Sequence, residues 1–86
     1  RQMCIRDRYW NALGMTLGGS GALVEAEQAF REALGRDAGN AQYAFNLGLA
    51  LARQNRRDEA RAAFTRALEI DPRFAPARQR LAELQQ

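Results

Sequence analysis

The chain repeats itself. Shifted by 34 residues, Leu13-Gly14 falls on Leu47-Gly48, Leu17 on Leu51, Glu25-Ala26 on Glu59-Ala60, and Ala29-Phe30 on Ala63-Phe64. Ala33-Leu34 falls on Ala67-Leu68 and Asp37 on Asp71, with no gap anywhere in the register. A third pass opens with Leu81 in the place of Leu47 and Ala82 in the place of Gly48. A fixed period of this kind marks a stack of like supersecondary units, each able to bury its apolar face only against its neighbours.

Within each unit the spacing is that of helices. Trp10, Leu13, Gly14 and Leu17 stand at i, i+3, i+4 and i+7, and Ala26, Phe30, Ala33 and Leu34 repeat the pattern further on. Ala44, Leu47, Gly48 and Leu51, then Ala60, Phe64, Ala67 and Leu68, do so again. Gly21 and Asn55 are equivalent under the shift, and both residue types tolerate the left-handed backbone that ends a helix. Asp37 to Asn40 and Asp71-Pro72 break the chain between units, since proline lacks the interior hydrogen-bond donor. The spacing predicts helices over roughly 9–18, 23–35, 41–54, 57–70 and 75–86. Abundant Ala, Leu, Glu, Gln and Arg with little Val or Ile agrees with an all-helical chain.

The order Trp10, Leu13-Gly14, Leu17, Ala26, Phe30, Ala33, then Ala44, Leu47-Gly48, Leu51, Ala60, Phe64, Ala67 and Pro72 resembles the tetratricopeptide repeat (TPR) family. The departures from the family's signature are Leu for Tyr in both units, Ala44 for Trp, and Ala38 for Pro. The resemblance implies an all-α, right-handed α-solenoid of two helical hairpins and a C-terminal capping helix. Repeat one is then about 7–40, repeat two about 41–74 and the terminal helix about 75–86. Arg78 and Gln85 stand where earlier units carry Trp10 or Ala44 and Leu17 or Leu51, as a polar outer face on a last helix requires. Gly14 and Gly48 let the second helix of each hairpin approach closely, and Phe30 and Phe64 are expected to fill the space between one hairpin and the next.

Residues 1–8 are set apart as a non-native tail. Gln2-Met3-Cys4-Ile5-Arg6-Asp7-Arg8 resembles the translation of a transposase adapter used in sequencing libraries, and such scars are excluded from fold reasoning. The chain is then expected to be a fragment preceded by further repeats or another domain. The exclusion also changes the electrostatics. Of 13 basic and 10 acidic residues, Arg1, Arg6, Arg8 and Asp7 lie in the tail, leaving 10 and 9, a net +1. That balance argues against a nucleic-acid or acidic-lipid surface. The basic residues are all arginine, a codon bias of GC-rich genomes. There is no membrane-spanning run and no signal-peptide pattern, which favours the cytoplasm only slightly and leaves the compartment open.

Catalytic chemistry has little to work with. The chain has no histidine, and its one cysteine, Cys4, lies in the tail, so no thiolate nucleophile, His-based triad or His/Cys metal site is expected, nor any cofactor. Gly18-Gly19-Ser20-Gly21 lacks the flanking strand and Lys-Ser/Thr of a phosphate loop and reads as an interhelix turn. Glu25 with Glu27, and Asp58 with Glu59, read as first-turn acids complementing helix dipoles rather than as paired catalytic carboxylates.

What remains is binding. The resemblance implies a concave groove lined by the first helix of each pair, which here presents Asn11, Met15, Gln42, Phe45, Asn46, Leu49, Arg53, Gln79, Arg80 and Glu83. Phe45 and Leu49 leave the apolar stripe of their helix, and two alternatives stand: anchors for a ligand, or packing against an adjoining helix. Asn46 and Arg80 match two positions of the carboxylate clamp of co-chaperone TPR domains, but Asn11, Met15 and Pro76 stand where that clamp needs two lysines and a second asparagine. The leading expectation is a scaffold that holds a peptide or partner protein, not an enzyme. The alternatives are the TPR arm of a larger enzyme, such as a glycosyltransferase or sulfotransferase, and a structural part that self-associates through exposed repeat ends.

Overall fold

In the computed structural model, residues 5–84 are described, the side chains of 5–7 excepted. Five helices follow one another: α1 (Ile5–Gly19), α2 (Leu23–Arg36), α3 (Ala41–Arg53), α4 (Arg57–Ile70) and α5 (Ala75–Leu84). Four of the five begin where the spacing places them. The exception is α1, which starts at Ile5, inside the segment set apart as a tail. Cys4, and Gln85 of the expected polar cap, lie outside the described residues. Arg78, the other member of that cap, is exposed.

The turns inside the two hairpins obey the same backbone rule. Gly21 has φ +90° and Asn55 φ +63°, so both stand in the left-handed region. Each follows a helix whose last carbonyls are taken up by the turn: Ala22 N donates to Leu17 O at 2.9 Å, and Arg56 N donates to Leu51 O at 3.1 Å. Between the units, Asn40 caps α3 by accepting from the Tyr43 amide at 3.1 Å.

Each helix packs on its sequence neighbour, and α1 also meets α3. The result is a slab of 38 × 29 × 15 Å, two helix layers thick, with α1, α3 and α5 in one layer and α2 and α4 in the other. The core runs along the seam between layers through Ala26, Ala44, Leu51, Ala60, Phe64, Ala67 and Ala77, all at most 2% exposed. Small residues at the helix crossings let the backbones close up, and the aromatic rings then fill what is left.

Phe30 and Phe64 each lie over the glycine of their own hairpin, and Phe30 also faces residues of α3 and α5 across the groove. A methyl group at Gly14 would stand 2.5 Å from Cε1 of Phe30, and one at Gly48 the same 2.5 Å from Cε1 of Phe64. The 34-residue repeat is therefore a repeat of packing geometry as well as of residue types. At the start of the stack, Trp10 is half-buried, with the Tyr9 ring edge-on at 5.4 Å and the Arg36 guanidinium 5.9 Å above its ring.

Candidate functional site

The layer of α1, α3 and α5 carries an open groove of about 490 Å³. Five of the residues expected to face a ligand line it: Met15 from α1, Asn46, Leu49 and Arg53 from α3, and Arg80 from α5. Gly18, Leu23, Phe30, Ala50 and Ala52 complete the wall, and none of these was expected at the groove from sequence. Leu23 and Phe30 come from α2, the far layer, so a reading confined to the first helix of each hairpin could not include them. Met15 is 60% exposed, an unusual state for a long apolar side chain, and Leu49 is half-buried.

The other five expected residues are elsewhere or otherwise engaged. Phe45 takes the packing alternative. It is only 9% exposed and lies 5.5 Å from the Phe64 ring and 5.4 Å, edge-on, from that of Phe74. Phe74 sits in the connection between α4 and α5, and its arrival beside Phe45 is what closes the core there. Asn11 and Gln42 belong to a chain of amides beside the groove. Gln42 Nε2 donates to Asn46 Oδ1 at 3.0 Å, Asn46 Nδ2 donates to Asn11 Oδ1 at 2.9 Å, and Asn11 Nδ2 reaches Met15 Sδ at 3.7 Å. Asn46 is 7% exposed, so its amide is committed to these neighbours. Gln79 and Glu83 are exposed on α5, and Glu83 pairs with Arg80 at 3.7 Å. Arg53 Nη1 donates to the Gly18 carbonyl at 2.8 Å, tying the end of α3 to the end of α1.

A second polar cluster lies at the junction of the two repeats. Glu27 on α2 is 7% exposed. Its carboxylate accepts from Arg31 Nε at 3.0 Å and Gln54 Nε2 at 3.1 Å, and it pairs with Arg56, whose guanidinium is also held by Glu59 at 2.6 Å. Glu25 is the acid of the first turn of α2, whereas Glu27 lies beyond it, so the helix-dipole role does not describe Glu27. Burial is the largest single influence on its carboxyl and pushes the pKa up. The hydrogen bonds from Gln54 and Arg31 and the charges of Arg56 and Arg31 together outweigh it, and the net direction is downward from the ordinary 4.5. Glu59 is also lowered, chiefly by its hydrogen bond from Arg56.

A group whose pKa is lowered by folding adds stability above its unfolded value and loses it as the pH falls through the folded one. Glu27→Gln is therefore expected to cost about 1–2 kcal/mol at neutral pH, discounted for the partial exposure of Arg56. The gap between variant and parent should close as the pH drops below 4.5. Urea melts of both proteins at pH 7 and pH 3 check this, and a gap that widens in acid would contradict the assignment.

Among the described residues no helix is long and apolar enough to cross a membrane. A search of curated proteins returns no match. Among solved structures, the chain is similar to the TPR2B-domain:pHsp70 complex of yeast Sti1, with a TM-score of 0.92 and 27% sequence identity over 95% of this chain. The match spans 66% of that chain's length. A family model for the tetratricopeptide repeat matches residues 11–73, most of both hairpins. The 34-residue register and the phenylalanine stacked on the glycine of each hairpin lie within the matched residues 11–73: the chain belongs to the tetratricopeptide repeat family.

Proposed function

We propose that this chain is a protein-interaction module that holds an extended peptide, or a helix of a partner protein, in the groove between α1, α3 and α5. The observation that carries the reading is the exposed Met15 beside the half-buried Leu49, in a groove bordered by Arg53 and Arg80. An apolar shelf flanked by a few polar groups is the usual make-up of a peptide site. The similarity to a TPR domain solved in complex with pHsp70 supports the same class of function. Phe45 is no part of the site on this reading, and Asn46 acts chiefly by holding the amides that border the groove.

The test is selection of binding peptides from a random library against the whole chain, followed by mapping with amide chemical shifts. Perturbations are expected at Met15, Leu49, Arg53 and Arg80. Met15→Asp should weaken capture about tenfold or more, since the apolar contact is replaced by a charge. Its melting temperature should stay within a degree or two of the parent, because Met15 is 60% exposed. Shifts confined to the opposite crevice, around Arg31, Leu34 and Arg66, would move the site to the α2 and α4 layer.

A further inference from the structure

The charges of the groove describe its occupant further, on the reading that the groove binds a peptide at all. Arg53 and Arg80 line it, and among the described residues no Asp or Glu does. The acid paired with Arg80 is Glu83, at 3.7 Å with both side chains more than half exposed, a contact that water screens and a ligand can displace. Arg53 uses one N–H on the Gly18 carbonyl, and a guanidinium has five. The Asn46 amide, by contrast, is committed on both sides and nearly buried. Asn11, Met15 and Pro76 supply no cation either. The groove thus lacks the cluster of donors needed to grip a free chain end, yet keeps two guanidinium groups beside an apolar shelf of Met15, Leu49 and Ala50.

We propose that the groove selects an internal segment of a partner protein in which an aspartate or glutamate side chain neighbours an apolar one. The carboxylate meets Arg80 and Arg53 through charge-assisted hydrogen bonds, and the apolar side chain covers Met15 and Leu49. A C-terminal carboxylate is not required.

Fluorescence anisotropy with the whole chain and short labelled peptides of alternating leucine and aspartate tests this. The comparison set is the same peptide with asparagine for aspartate, with lysine for aspartate, and with either an amidated or a free C-terminus. The aspartate peptide is expected to bind about tenfold more tightly than the asparagine one at low salt, and the lysine peptide more weakly than both. The advantage should shrink as salt rises and largely vanish in Arg80→Gln, an exposed position whose loss leaves the fold intact. Amidated and free ends should bind alike. Equal binding of all three side-chain series, weakened by Met15→Asp, overturns the charge selectivity and leaves the groove as a peptide site. Binding only of the free-ended peptide overturns the internal-segment assignment. No binding by any of the peptides overturns both.

Discussion

Phe64→Ala is expected to cost about 3–5 kcal/mol, the largest single loss available in this chain. The ring is 0% exposed, sits on the backbone at Gly48, and lies 5.5 Å from Phe45, which in turn meets Phe74. Its removal forfeits the transfer energy of the ring and leaves a cavity that α3 cannot close by sliding inward, because the approach at Gly48 is already without a side chain. In a domain of this size such a loss lowers the melting temperature by roughly 12 °C or more. Thermal unfolding followed by circular dichroism measures it. A melt shifted by only a few degrees would mean that the Phe45–Phe64–Phe74 cluster is not a keystone of the fold.

Gly48→Ala is expected to destabilise although alanine is the better helix former. On propensity alone the change should gain about 1 kcal/mol. Against that, the new methyl would stand 2.5 Å from Cε1 and 2.7 Å from Cδ1 of a fully buried ring, and the ring has nowhere to move. Overpacking of this kind costs about 1–3 kcal/mol beyond the propensity gain. The sign should reverse when the ring is gone. In the Phe64→Ala background, Gly48→Ala is expected to be neutral or stabilising, since it then recovers the propensity and fills part of the cavity. A double-mutant cycle reads that coupling directly, and additive effects would contradict the contact. Gly14 and Phe30 form the same pair in repeat one, so the same cycle there should give the same sign.

The helices were legible because their stripes and breaks are local. Asp37 to Asn40 and Asp71-Pro72 end segments whose apolar spacing is regular, and Gly21 and Asn55 mark turns by their own backbone preference. Helix α1 was cut short for a different reason: its first residues resemble an adapter scar, and that exclusion removed a stretch that continues the helix from Ile5. Phe45 stayed open because the residue that decides it, Phe74, comes from beyond α4 and answers to no periodicity within α3. The Glu27 cluster was invisible to the repeat for the opposite reason. Shifted by 34, Glu27 falls on Arg61 and Arg56 falls back on Ala22, so this polar junction occurs once and leaves no self-match to find. Half of the expected groove residues line the groove; the others, such as Phe45, are taken up by packing or lie outside it, while Leu23 and Phe30 of α2 join the lining from the other layer.

Trp10 is the chain's single tryptophan, and it reports on the first hairpin. Tyr9 beside it and Arg36 from α2 above it both belong to repeat one. Indole emission therefore follows the docking of α1 on α2, while far-ultraviolet ellipticity sums over all five helices. In a linear stack, coupling between units decides whether these two signals move together. The polar junction around Glu27 is one of the contacts that couple them, beside the packing of α2 on α3. Loosening it would let the optical trace of the first hairpin run ahead of the rest, so the protein carries an internal gauge of its own cooperativity.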